Sequence, residues 1–226
     1  MTHTCEFCKR EFQKETTLAV HMCEPKRRRS ERDERGVQLG YQAYLKFYQI
    51  TQGSNRLKTY DDFADSNYYR AFVKFGRYCV DVRVISPESF LDWLLKNNKK
   101  IDHWCKDSLY EQYLLTYLQQ EPMTEAMDRA IKEMQNYAEN SSGLASWTDY
   151  FRYGNSNRIC HHITTGRVSP WVCYCCDSGI EFLDNLDSHL LAIVFPYIDP
   201  SIWNRKLQDY VADAEWCRKL LTDAGL

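Results

Sequence analysis

Residues 5–23 read CEFCKREFQKETTLAVHMC. Written as C-x2-C-x3-F-x5-L-x2-H-x-C, the stretch sets Cys5 and Cys8 on a tight turn and Phe12 and Leu18 behind them as apolar plugs. His21 and Cys23 follow as two further soft or borderline donors. Zinc takes four such donors at the corners of a tetrahedron. A unit this small buries too little apolar surface to fold without its metal, so ligands and plugs are expected to order together. The spacing therefore predicts a zinc site made of Cys5, Cys8, His21 and Cys23.

Through the Cys5–Cys8 knuckle, Leu18 and His21, the stretch resembles the C2H2 zinc-finger family, which implies a ββα-like module over residues 1–24 with its helix from about Lys14 to Met22. The last ligand departs from that family. The positions where a second helix histidine would fall hold Pro25, Lys26 and Arg27, none of which binds zinc. Cys23 is the nearest donor, but residues two apart on a helix point to nearly opposite sides, so the helix must unwind for both to reach one ion. Pro25 is consistent with an early stop. His3 is the rival fourth ligand, and a water there would leave an open position of the catalytic kind.

The 226 residues, 44% hydrophobic and 14% aromatic, are enough for a substantial core and argue against overall disorder. No apolar leader follows Met1 and no run approaches membrane-spanning length, so the ten cysteines read as metal ligands or buried small hydrophobes in a soluble cytoplasmic protein. The net charge of −2 is uneven: residues 1–35 carry nine Lys or Arg against seven Asp or Glu, and the remainder twenty against twenty-four. Phosphate binding is thus expected at the front, on Lys9, Arg10 and Lys14 of the finger and on Lys26, Arg27, Arg28 and Arg29 in a row behind it. Gln13, Glu15, Thr16 and Ala19 form the outward face that would meet bases.

Residues 25–35 read as a charged linker or exposed helix in which Glu31, Asp33 and Glu34 could pair with Arg32 and Arg35. From residue 36 to 226 the expectation is an irregular multi-helix domain, giving a mainly α chain with a possible subdivision near 140–145. Apolar residues recur at helical spacing over Val37–Tyr48, over Tyr69–Val80 with Gly76 on the packed face, and after an N-cap and proline at Ser86–Pro87. Thr59 and Asp62 look like a helix start, Thr51–Asn55 and Ser141–Gly143 like loops. Asp102–Asp107 reads as a polar joint. Tyr110, Tyr113 and Tyr117 read as an amphipathic core face rather than a base-stacking platform. Met123–Met134, Leu186–Phe195 and Ala212–Leu221 continue the helices, while Pro170–Tyr174 reads as extended.

Cys160, His162, Cys173 and Cys176 make a second candidate metal set, C-x-H-x10-C-x2-C, for which buried inert thiols are the competing explanation. The enzymatic alternative is, for example, a nuclease using His161, His162 and Asp177 near a metal, or an open zinc at the finger. No paired-carboxylate or H-x-E motif supports it, and no catalytic residues are assigned.

The strings TTLAVHMCEPKRR, GVQLGYQAYLKFY, YYRAFVKFG, KKIDHWCKD and SPWV resemble a family of uncharacterised single-finger proteins of T4-like tailed bacteriophages, cyanophages included. That resemblance implies a virus-encoded protein acting in the host cytoplasm. The functional expectation is a non-catalytic, zinc-containing accessory factor in phage DNA or RNA transactions, DNA more than RNA, with a phage or host protein partner. The alternative is a protein-interaction finger that tethers the helical body to replication, transcription or packaging machinery.

Overall fold

The computed structural model describes residues 2–53, 58–141 and 143–226; Ser54 and Asn55 of one expected loop and Ser142 of the other lie outside them. The chain is mainly α-helical, with a two-stranded sheet at its front. Strands β1 (His3–Thr4) and β2 (Glu11–Phe12) pair antiparallel, His3 opposite Phe12. The chain divides into two compact units, Met1–Tyr110 and Glu111–Leu226. The division does not fall at 140–145, because the loop there joins two parts of one unit. Tyr137 on its near side packs edge-on against Tyr150 on its far side, ring centroids 5.4 Å apart.

In the first unit α1 (Glu15–Ala19) and α2 (Glu24–Ser30) lead into α3 (Arg35–Gln52), which ends at Gly53 in the left-handed region with φ 54°. Helix α4 (Tyr60–Ala64) starts from a capping box between Thr59 and Asp62; α5 (Tyr69–Asp81) and α6 (Pro87–Lys96) follow, the latter capped by Ser86 with Pro87 in its first turn. Helices α3 and α5 cross with their backbones in contact. A Cβ on Gly76 would overlap the Gly36 carbonyl oxygen and reach 2.5 Å from the Gly40 nitrogen, and one on Gly40 would lie 2.6 Å from the Phe72 carbonyl oxygen. Three glycines are therefore what the crossing requires.

Beside that crossing Phe72 and Phe75 are buried against Trp104, and buried Phe90 packs on Phe75. Trp104 is not part of a polar joint. Its ring meets Phe47, Phe72 and Phe75 at 6.0, 5.9 and 5.3 Å, and its indole N–H donates to the Lys99 carbonyl at 2.8 Å. Satisfying that one polar atom lets the largest side chain of the segment sit in the core, where an aromatic contributes about 1.5–3 kcal/mol.

The second unit takes up the chain within α7 (Asp107–Gln120) and continues through α8 (Met123–Glu139), α9 (Tyr150–Tyr153) and α10 (Ser156–Thr164). It ends with α11 (Pro170–Cys175), α12 (Asp177–Asp184), α13 (Ser188–Ile198), α14 (Pro200–Asp209) and α15 (Val211–Ala224). Pro170–Tyr174 is helical, not extended: Ser169 accepts the Trp171 N–H and Pro170 occupies the first turn, where its missing donor is harmless. The run shows no helical period because it is buried nearly all round. Tyr110 and Tyr113 are buried, as a core face requires.

A polar knot joins α7, α8, α11 and α14. Glu121, fully buried, binds Arg129 at 2.6 Å and Ser169 at 2.8 Å, while the Lys206 ammonium donates to the Leu118 and Glu121 carbonyls at 3.1 and 3.4 Å between the rings of Trp171 and Trp203. Burial brings Lys206 down to about 8. Among the described residues no helix is long and apolar enough to cross a membrane.

The glycine crossing is testable by urea unfolding followed by circular dichroism. Gly76→Ala forces backbone against backbone and should cost about 3 kcal/mol. Gly53→Ala meets open space and should cost only the left-handed strain of about 1 kcal/mol.

Candidate metal centre

The knuckle is built by two backbone bonds, Cys5 N–H to the Arg10 carbonyl and Lys9 N–H to the Cys5 carbonyl, both 2.9 Å, with Lys9 turned into the left-handed region at φ 59°. Helix α1 is shorter than the expected 14–22. It stops at Ala19, and the backbone N–H of its cap residue Val20 bonds back into the helix. His21 and Cys23 thus follow the helix rather than riding on it, Cys23 in an extended conformation with φ −93° and ψ 162°. In extended chain, residues two apart face the same way, so H-x-C supplies two donors to one point without bending a helix. Pro25 lies in the first turn of the next helix, α2.

The ligand atoms of Cys5, Cys8, His21 and Cys23 all lie within 4.8 Å of one another, a cluster that could hold a metal ion. The Cys5 and Cys23 sulfurs are 3.8 Å apart, and Cys8 Sγ is 3.3 Å from His21 Nε2. A tetrahedral zinc with sulfur at about 2.3 Å and nitrogen at about 2.0 Å has S···S and S···N edges of about 3.8 and about 3.5 Å. A disulfide would need sulfurs at about 2.05 Å. The donor set and its edges therefore fit a tetrahedral ion. His3 is not in the cluster; it is held in β1 opposite Phe12.

The environment favours thiolate at Cys5 but not at Cys8. The Cys8 backbone N–H, working against burial, brings Cys5 down to about 7. At Cys8 the Arg10 backbone acts downward, but burial and the neighbouring Cys5 and Cys23 sulfurs outweigh it and leave the thiol above its ordinary value. Of the apolar plugs, Phe12 and Leu18 are half-buried, and Phe12 packs on His21 with ring centroids 4.7 Å apart. No residue of α1 is buried.

The second candidate set does not assemble: among the described residues the only such cluster is the one at the front. Here the two-apart geometry works against a site, because Cys160 and His162 are both inside α10. His162 Nδ1 meets the Tyr150 hydroxyl at 2.7 Å, and its Nε2 is 3.5 Å from Glu133. Cys173 and Cys176 turn their sulfurs to the Ser169 and Val172 carbonyls at 3.8 and 3.2 Å, and burial raises Cys160, Cys173 and Cys176 above the ordinary thiol range. These are the buried small hydrophobes of the competing explanation.

The basic residues divide into two groups. Lys9, Arg10 and Lys14 are exposed on the finger, Arg10 lying over the Phe12 ring. Lys26 donates to the His21 carbonyl at 3.2 Å, and Arg27 pairs with Glu24. Arg28 and Arg29 are not free for phosphate. Arg28 reaches Glu24 and the Ala64 carbonyl at 3.2 and 2.8 Å and stacks on Tyr69, and Arg29 binds Asp61 and Asp65 at 3.0 Å each. Glu31 and Glu34 pair with Arg77 at 3.3 and 2.6 Å rather than with Arg32 or Arg35.

Residues 24–30 thus form a helix fastened to the unit, not a tether. Sequence reasoning missed Arg70, Lys74 and Arg77, although their i, i+4, i+7 spacing opposite the apolar face of α5 was a legible signal. No family model, curated protein or solved structure matches this chain.

Burial, then Arg158 and Arg167, hold His162 at about 4 instead of 6.5, with His161 adding to the same effect and Glu133 facing the ring. The unfolded chain takes up a proton near pH 6.5 that the folded chain refuses until about pH 4, so stability should fall across that window as pH drops. Thermal unfolding at several pH values should show His162→Gln to be less sensitive than the parent between pH 6.5 and 4.

Proposed function

We propose that this chain is a non-catalytic nucleic-acid-binding accessory protein whose front is folded around one zinc ion. The observation that carries the reading is the separation of charge between the two units. Met1–Tyr110 holds 20 Lys and Arg against 15 Asp and Glu, a net of +5, and Glu111–Leu226 holds 9 against 16, a net of −7. A near-neutral chain thereby presents a basic unit able to attract phosphates. The similarity to single-finger phage proteins supplies the setting, phage DNA or RNA transactions in the host cell.

Three thiols and an imidazole suit zinc over harder cations. Four protein donors leave no position for a substrate water, which favours a structural ion. At five residues, α1 is about 7.5 Å long, too short to lay several side chains along a major groove. Lys9, Arg10 and Lys14 accordingly act on the backbone, without reading sequence.

Anaerobically purified protein should contain one equivalent of zinc. Cys23→Ser should weaken its retention against a chelator and His3→Ala should not; a second equivalent, or none, would overturn the assignment. In a separate experiment, full-length Lys9→Gln/Arg10→Gln/Lys14→Gln should bind random DNA more weakly with a salt slope lower by about three.

One observation favours the protein-interaction finger as a second reading: Val20 and Met22, flanking His21, are 81% and 58% exposed. If the full chain shows no salt-sensitive binding to any nucleic acid, that apolar pair becomes the functional surface.

A further inference from the structure

Helices α2 and α5 enclose an open cleft of about 580 Å³ within the first unit. Arg70, Lys74 and Arg77 line it from α5, Arg27 and Arg28 from α2, against three carboxylates, Glu24, Glu31 and Asp81. The three α5 residues are exposed at i, i+4 and i+7, opposite the buried face carrying Phe72, Val73 and Gly76. Glu24 and Glu31 leave Arg70 and Lys74 largely uncompensated. Glu24 is taken up by Arg27 and Arg28 and lies only at the limit of reach of Arg70, 3.5 Å, while Glu31 is bonded to Arg77. Arg70 remains 78% exposed. Among the described residues no ion pair or hydrogen bond engages Lys74, which is exposed.

We propose that this cleft binds a phosphodiester backbone, with Arg70 and Lys74 as its principal contacts and Arg77 as a cation anchored by Glu31 and Glu34. The inference rests on the nucleic-acid reading above and names its site. From residue 70 to 77 the stripe runs about 10 Å along the helix, over which one duplex strand presents about three phosphates. No asparagine or glutamine lines the cleft to read base edges. Its two tyrosine hydroxyls are occupied, Tyr78 donating to Asp107 at 3.0 Å and Tyr69 to the Arg28 carbonyl at 3.4 Å. The chemistry is that of a sequence-independent cation groove.

The test is fluorescence anisotropy of the full chain with labelled 20-residue single-stranded DNA, duplex DNA and single-stranded RNA of unrelated sequences over a salt series. Arg70→Gln/Lys74→Gln should lower affinity about tenfold or more at low salt, similarly on unrelated sequences, and reduce the salt slope by about two. Lys96→Gln/Lys100→Gln, exposed cations elsewhere on the unit, should change it little. The conservative pair Arg70→Lys/Lys74→Arg should retain binding, which separates charge from packing.

The strand type that loses most identifies the ligand. If Arg70→Gln/Lys74→Gln binds like the parent while the triple finger variant is weakened, the cleft is wrong and the nucleic-acid reading stands. If the parent binds none of the three probes, both fall.

Discussion

The guanidinium of Arg28 is the point on which the front of the molecule depends. It bonds to Glu24 within its own helix and to the carbonyl of Ala64, the last residue of α4, and it lies 4.6 Å from the Tyr69 ring centroid. The Arg28 carbonyl is one of the four acceptors left over at the C-terminal end of α2, and the hydroxyls of Tyr60 and Tyr69 donate to it at 2.6 and 3.4 Å. One residue therefore satisfies both ends of the contact between α2 and the helices beneath it. Arg29 repeats the fastening through Asp61 and Asp65. A segment that is charged throughout becomes a packed element because its charges find fixed partners, not because it carries an apolar face.

That fastening bears on the metal centre. The front has almost no core of its own: Cys5 is buried, Phe12 and Leu18 are half-covered, and α1 buries nothing. What holds it is the convergence of four donors together with two contacts to α2, Lys26 on the His21 carbonyl and Arg29 beside the Phe7 ring at 5.6 Å. An ion at those donors would supply folding free energy that apolar burial does not. The second unit works the other way. Its cysteines are buried within a core of methionine, isoleucine and tryptophan, burial raising Cys160, Cys173 and Cys176 above the ordinary thiol range, and Glu121, Arg129 and Lys206 are tied off in one knot.

The division of charge follows the same logic. Cutting the chain after residue 35 leaves a weakly basic arm and an acidic body. Cutting it where the packing divides puts the excess cations of α5 and of the segment between α6 and α7 with the finger. A net charge of −2 thus conceals a basic unit joined to an acidic one, and the distribution governs interaction with a polyanion more than the sum does.

The amino-acid sequence by itself determined what depends on local chemistry. The four metal donors stand at ligand spacing within 19 residues. Thr59 with Asp62 and Ser86 with Pro87 announce helix starts through their own side chains, and the mainly α class is written in the repeat of apolar residues along Val37–Tyr48 and Tyr69–Val80. Tertiary structure alone decided what depends on partners far apart in the chain. It ended α1 at Ala19 so that His21 and Cys23 could face one ion, and kept Cys160 and His162 apart by holding both inside α10. It made a helix of Pro170–Cys175, a core residue of Trp104, and structural anchors of Arg28 and Arg29. Periodicity and spacing register which face a residue occupies within its own element. They do not register which distant carboxylate, carbonyl or ring will meet it, and those long-range contacts settle whether a charge is spent inside the fold or left for a ligand.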